Sequence, residues 1–367
     1  MKADTNPGPQ RDAPVPLPKT FVLELTRRCN HRCLYCYTVW GQPALGYPAP
    51  PEVEMSAAEI AALIEKLQSE VPVEYIALSG GEPLLREDLP EILAFIRSRG
   101  ITPIIITNGT LLTEECVAAT MVGGSYEVSL HSYRAGVHDR LSGREGAWNK
   151  VIEGMTNVRR AGGNLVAAFV ATKLNAMDLK HTVELAVALG CWGMLYNRIN
   201  LGAHNFRYAD ELLPTPAMIQ ENLDVLEEMG AKYAPFAISV SIVIEPCVVD
   251  VTKYKHIYFG WCPKAGENSY FTIDPVGNLR TCNHSPVILG NLKRDRFTDI
   301  FYRHPYVCSF RTSLPAECAN CKPELKQICR GGCDAAAEQC YGTASRVDPF
   351  VTISRRSICS RDGGNVG

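Results

Sequence analysis

Residues 21–36 read FVLELTRRCNHRCLYC. The first six, Phe21–Thr26, form a short alternating run rich in strand-forming side chains, and the period and composition predict a β-strand. The ten that follow carry Cys29, Cys33 and Cys36 in a C-x3-C-x2-C spacing. Three thiolates in one loop suit a cubane iron–sulfur cluster, which ordinarily takes four cysteines, so a triplet without a neighbouring fourth leaves one iron open. Zinc is the competing occupant. It usually takes four protein ligands in paired C-x2-C knuckles, and this loop has no second pair.

Outward from this loop the chain alternates. Ser56-Ala57-Ala58-Glu59 is a capping box opening an amphipathic helix to about Ser69. Strand Val73–Ser79 follows, and Asp88-Leu89-Pro90-Glu91 opens another helix. The pattern continues with strand Thr102–Thr107, a short helix near Glu114–Met121, strand Tyr126–His131 and helix Ala147–Ala161. Strand Leu165–Thr172, helix Met177–Leu189 and strand Gly193–Ile199 complete it. Six strands separated by helices predict an α/β fold with a parallel sheet. Such a sheet curls into a partial (β/α)6 TIM-like barrel, with ligands at the carboxyl ends of its strands. The cysteine loop sits at one of those ends.

Gly80-Gly81-Glu82-Pro83 stands directly after the second strand, Thr107-Asn108-Gly109 after the third, and Ser129 within the fourth. Together with Cys29-Asn30-His31-Arg32-Cys33-Leu34-Tyr35-Cys36, aromatic just before its third cysteine, they make the chain resemble the radical S-adenosylmethionine (radical SAM) superfamily. That resemblance implies that the open iron binds the methionine end of SAM. It further implies reductive cleavage to a 5′-deoxyadenosyl radical, which takes hydrogen from a substrate. By the same resemblance the expected cofactor contacts are Gly80, Gly81, Glu82 and Pro83, with the glycines admitting SAM closely and Glu82 accepting from its amine. Asn108 and Ser129 are expected at the carboxylate or ribose, Tyr35 beside the adenine, and Asn175 and Arg198 at the ends of later strands. The fourth strand departs from the family pattern, running Ser129-Leu130-His131-Ser132 where relatives often have an acidic residue and glycine. His131 there is either a proton-handling catalytic residue or a polar lining residue.

The chain has 15 cysteines in 367 residues. So many thiols in a chain long enough to bury its own core point to metal binding in a reducing cytoplasm, not to disulfide staples. Cys262, then Gly277 and Cys282, read as a hairpin: Tyr270–Ile273, a turn at Asp274–Gly277, and Leu279–Cys282. Cys318, Cys321, Cys329 and Cys333 follow as C-x2-C-x7-C-x3-C. This arrangement resembles the SPASM extension of radical SAM enzymes, an iron–sulfur domain with two auxiliary 4Fe–4S clusters. The resemblance implies one cluster on Cys262, Cys282 and Cys333, and another on Cys318, Cys321, Cys329 and a late cysteine. Cys359 is the favoured late ligand and Cys340 the alternative. The first auxiliary cluster lacks a clear fourth cysteine, leaving an open iron or recruitment of Cys247 or Cys308. Zinc competes here too, given the C-x2-C knuckle. Cys116 and Cys191 fall in apolar segments and read as buried structural thiols.

The expected organisation is a Pro-rich arm over 1–19, the barrel over 20–213, a bridging region over 214–261, and the SPASM domain over 262–367. A net charge of -2 gives no preference for nucleic acid or an anionic membrane. No run approaches the roughly 18 apolar residues of a spanning helix. SPASM enzymes as a family most often crosslink, oxidise or epimerise ribosomally made peptides, so the expected substrate is a small precursor peptide. Only about 19 residues precede the first strand, which leaves no room there for a peptide-recognition domain and predicts a separate recognition protein or direct docking. An electron donor such as flavodoxin or ferredoxin is the other expected partner. The alternatives are a porphyrinoid- or small-molecule-modifying radical SAM enzyme, and a non-catalytic iron–sulfur protein.

Overall fold

A computed structural model of the protein describes residues 15–39, 54–121 and 124–362, the side chains of 356–362 excepted. Six parallel strands, β1 (Thr20–Thr26), β2 (Tyr75–Gly80), β3 (Thr102–Thr107), β4 (Ser125–Ser129), β5 (Asn164–Ala171) and β6 (Gly193–Arg198), lie side by side in chain order. Between them run α1 (Ala57–Gln68), α2 (Leu89–Ser98), α3 (Glu114–Thr120), α4 (Ala135–Ser142), α5 (Ala147–Arg160) and α6 (Leu179–Ala188). The Ser56 box forms in both directions: Ser56 Oγ accepts from Glu59 N–H, and the Glu59 carboxylate accepts from Ser56 N–H. Helix α4 has no counterpart among the sequence-based elements, because AGVHDRLS is too polar to show an apolar stripe.

Alternation along the strands divides their two faces. Tyr126 and Val128 of β4, Leu165, Ala167 and Phe169 of β5, and Met194 and Tyr196 of β6 are buried in the core that the helices cover. The residues between them face the inside of the half-barrel and are only half-buried, among them Ile104, Ile106, Glu127, Ser129, Val166, Ala168 and Leu195.

The sheet does not stop at six strands. After α7 (Ala209–Leu212) and α8 (Pro216–Lys232), β7 (Ala237–Val240) pairs with β6 and β8 (Ile257–Phe259) with β7, both parallel. The run of strand-forming side chains continues to Ile244. The ladder ends at Val240 because the Asn197 side-chain oxygen accepts the N–H groups of Ser241 and Ile242 at 2.9 Å each. At the opposite edge, β9 (Tyr270–Ile273) adds to β1 in parallel, and β10 (Asn278–Arg280) and β11 (Gly290–Asn291) extend it antiparallel. The hairpin turns at Gly277, whose φ is +90°, and the Asp274 carboxylate receives Val276 N–H and Asn278 N–H. Helices α9 (Phe297–Arg303), α10 (Pro305–Thr312), α11 (Pro323–Ile328), α12 (Asp334–Tyr341) and α13 (Pro349–Asp362) complete the chain. The second cysteine region is thus continuous with the barrel's own sheet, and an ion pair between Glu24 of β1 and Arg280 of β10 fastens the join. Of the Pro-rich arm only 15–19 is described, and there Tyr302 Oη donates to the Val15 carbonyl.

Candidate active site and cluster-binding cysteines

The loops after β1, β2 and β3 meet at one rim. Gly81 N–H donates to Thr26 O at 2.8 Å and Glu82 N–H to Arg28 O at 2.9 Å, so the Gly-Gly loop lies directly on the chain leading to Cys29. A Cβ on Gly80 would sit 2.5 Å from Thr26 O, and one on Gly81 2.1 Å from Arg28 O. The space these glycines leave is therefore taken by the cysteine loop's own backbone, a correction to the expectation that they leave it for the cofactor. Glu82 is fully buried. Its Oε1 accepts from Thr107 Oγ1 at 2.7 Å and Leu84 N–H at 3.1 Å, and its Oε2 from Asn108 N–H at 2.8 Å. Burial pushes its carboxyl up to about 7. Pro83 starts the short helical turn Pro83–Leu85 that Glu82 caps. Asn108 Nδ2 donates to Asn30 Oδ1 at 2.7 Å and its side chain bonds the Cys29 thiol, while Asn30 Nδ2 donates to Thr110 Oγ1 at 3.1 Å. Asn30 and Thr110 were not singled out from the sequence; their only signal is that Asn30 is a polar residue inside the cysteine motif and Thr110 one directly after Thr107-Asn108-Gly109.

The middle of the rim holds Tyr35 and His131. Tyr35 Oη is 2.5 Å from His131 Nε2, and the rings meet edge-on with centroids 4.5 Å apart. Val170 N–H donates to His131 Nδ1 at 3.2 Å, which places the ring proton on Nε2 and makes His131 the donor to Tyr35. The Tyr35 hydroxyl also bonds the Cys33 thiol and Ser129. His131 is 1% exposed and burial holds its pKa well below 6.5. It is a neutral prop beneath Tyr35, with both nitrogens engaged by the protein.

Two expected cofactor contacts are committed elsewhere. Asn175 is fully buried; its Oδ1 accepts from Thr172 N–H and Oγ1, and its Nδ2 donates to His131 O and Val170 O. Both polar atoms of that side chain are thus held by the protein, and Nδ2 ties the end of β5 to the segment just after β4. Arg198 is also fully buried, donating from Nη2 to Glu245 Oε1 at 2.9 Å and Asp348 Oδ2 at 2.6 Å, and from Nε to Val243 O at 3.0 Å. It lies over the Phe350 ring. Asp348 in turn receives the Cys333 N–H at 3.2 Å. Arg198 therefore joins the barrel to the second cysteine region.

The remaining cysteines form two groups. Cys262, Cys282 and Cys333 lie close enough for each charge to be felt by the others, and Asn200 Nδ2 is 3.5 Å from Cys333 Sγ. Tyr37, just after Cys36, receives Asn283 Nδ2 at 2.5 Å and so links the first loop to the hairpin of this group. Cys318, Cys321 and Cys329 line one pocket, and Cys247 joins them there. Cys247 was considered only for the first auxiliary set; the structure puts it with the second. Cys308 is exposed on α10, its thiol 3.4 Å from Tyr302 O, and Cys340 is half-buried on α12. Cys191 is buried as expected, whereas Cys116 is only half-buried. Cys359 lies outside the described side chains. Among the described residues, no three His, Cys, Asp or Glu side chains are set around a single metal ion.

The donor set fits an iron–sulfur cluster. Burial and mutual repulsion push Cys33 up to about 12 and Cys36 to about 11, so both thiols need a cationic centre beside them to ionise. All three sulfurs come from the one loop at the carboxyl end of β1, a thiolate-only set of the kind that holds iron–sulfur clusters.

A family model described as the radical SAM superfamily matches residues 23–186, which run from β1 and the cysteine loop into α6, and one described as an iron–sulfur cluster-binding domain, SPASM, matches residues 262–322. The chain belongs to the radical SAM superfamily. This radical SAM/SPASM enzyme is 29% identical to a PqqA peptide cyclase of Methylocella silvestris over 94% of its own length and 90% of that protein. It is 26% identical to an AdoMet-dependent heme synthase of Methanosarcina barkeri, over 91% of its length and 96% of that protein. Its fold is that of SuiB of Streptococcus suis, solved with the precursor peptide SuiA, with a TM-score of 0.71 at 14% identity, covering 90% of this chain and 75% of that one.

Proposed function

We propose that this radical SAM/SPASM enzyme modifies a small, ribosomally made precursor peptide by crosslinking, oxidation or epimerisation. The observation that carries the reading is its likeness, along nearly the whole of both chains, to a PqqA peptide cyclase. The inside of the half-barrel supports it. Ile104, Ile106, Val166, Ala168 and Leu195 give a half-accessible apolar wall for a side chain, with Glu127 and Ser129 as its polar points.

Cys29, Cys33 and Cys36 would hold the cluster that supplies one electron to cleave SAM. The chain's own residues do the rest. The Gly80–Pro83 loop fixes the height of Cys29, Glu82 pins the β2 and β3 loops together, and His131 orients Tyr35 against Cys33. We assign three 4Fe–4S clusters, the other two in the C-terminal cysteine groups, and an external electron donor. Oxygen-labile clusters suit a reducing cytoplasm. Among the described residues no helix is long and apolar enough to cross a membrane.

Co-expression with a small peptide gene adjacent to this one, followed by peptide mass measurement, tests the substrate. A loss of two hydrogens supports crosslinking or oxidation. An unchanged peptide, including its stereochemistry, contradicts the reading. The likeness to a heme synthase favours a second reading, a porphyrinoid substrate, which turnover of an iron porphyrinoid and no peptide would establish.

A further inference from the structure

Four segments converge on the pocket lined by Cys318, Cys321 and Cys329: the loop carrying the first two, the end of α11, the start of α13, and the turn that carries Cys247. That turn is fixed. Val248 N–H and Val249 N–H both donate to Glu245 O, at 2.8 and 3.1 Å. Glu245 is itself locked by its ion pair with Arg198. Its carboxylate leans on the cysteine loop: a Cβ on Gly332 would lie 2.2 Å from Glu245 Oε1. Val248, next to Cys247, packs with Cys321 against the small apolar cluster of Cys318, Val347 and Val351. Cys247 is thus held against the three thiols from a segment far away in the chain, and it lies outside the stretch that matches the SPASM model. Cys318 and Cys329 are buried at the base of the pocket, whereas Cys247 is exposed at its edge. Lys326, Arg330 and Arg355 line the same pocket, a cationic surround suited to thiolates.

We propose that Cys247 is the fourth thiolate of the second auxiliary cluster, completing the Cys318, Cys321 and Cys329 set in place of the late Cys359. This rests on the reading that each C-terminal cysteine group holds a cubane cluster. Four thiolates satisfy all four irons of such a cluster, so the site has no open position and serves electron transfer rather than substrate binding.

The test uses the full chain with Cys29, Cys33 and Cys36 all replaced by Ala, so that only auxiliary iron is counted. After anaerobic reconstitution this parent should hold about eight irons. Adding Cys247→Ala should leave that cluster on three thiolates, altering or removing one reduced-cluster EPR signal and lowering the count by up to about four irons. Adding Cys359→Ala should leave both unchanged. Because Cys247 is exposed, the urea midpoint of the cluster-free chain should not move, which separates ligand loss from misfolding. Cys247→Ser, retaining an oxygen donor, should shift the EPR signal of the second cluster and spare the first. Full iron with an unaltered spectrum in Cys247→Ala, or loss of the cluster in Cys359→Ala, would overturn the assignment of Cys247 alone. A parent that loads zinc in place of iron would overturn the cluster reading itself and the assignment with it.

Discussion

Replacing Gly81 by Ala should disable SAM cleavage without touching any ligand. Gly81 does not have a left-handed φ, so Ala is barred by contact and not by backbone strain. The added carbon would stand 2.1 Å from Arg28 O and 2.6 Å from Arg28 C, about an ångström inside the roughly 3.5 Å of a comfortable contact. The obstacle is backbone on both sides, so one loop must move away. That motion strains the two bonds joining them, Gly81 N–H to Thr26 O and Glu82 N–H to Arg28 O, each with a net worth of about 0.5–1.5 kcal/mol. Cys29 is the next residue after Arg28, so the displacement passes to a cluster ligand. A shift of about 1 Å at a reacting centre costs on the order of a hundredfold in rate. The assay is 5′-deoxyadenosine release under dithionite from anaerobically reconstituted protein, with iron counted on the same sample. A Gly81→Ala enzyme with wild-type iron and wild-type cleavage would refute the reasoning.

Two other perturbations follow from the buried charges. Arg198→Met leaves Glu245 and Asp348 facing each other unpaired and buried, a loss of about 3–5 kcal/mol. It should lower the urea midpoint and the auxiliary iron content together, and a midpoint equal to wild type would count against the triad as a join. Desolvation inside the half-barrel pushes the half-buried Glu127 carboxyl from 4.5 up to about 7, so the folded chain keeps a proton that the unfolded chain has lost. The stability this group lends is full below about 4.5 and declines as pH rises through about 7. Glu127→Gln should therefore flatten the fall in urea midpoint between pH 5 and pH 8, and identical slopes in both proteins would contradict the assignment.

The half-barrel was legible because each of its strands and most of its helices carry their own period and caps; the Ser56 box formed as read, and the three motif loops fell at strand ends. What escaped was set by tertiary partners. β8 is only three residues long and β9 docks on β1 across some 250 residues of chain, a pairing that no local pattern announces. The roles of Asn175 and Arg198 were misread for a related reason. A polar residue closing a strand looks the same whether it faces a ligand or a neighbouring loop, and only the positions of His131 O, Glu245 and Asp348 decide between them. Cys247 carried no spacing signal at all, since its thiol partners are at least 71 residues away, the nearest being Cys318. Conversely, the hairpin and its turn glycine announced that Cys262 and Cys282 are neighbours, and the structure has the two thiols within electrostatic reach of each other; Cys333, which stands beside them, came only from the resemblance.

The central claim is that the thiols of the loop after β1 carry the chemistry of this enzyme. It is tested most directly by measuring 5′-deoxyadenosine from SAM and dithionite with the wild-type chain and with Cys29, Cys33 and Cys36 all changed to Ala. The wild-type protein, loaded with on the order of twelve irons, should release the nucleoside, and the variant should release none while keeping about eight. No nucleoside from the fully loaded wild type, or equal amounts from both proteins, would contradict the account.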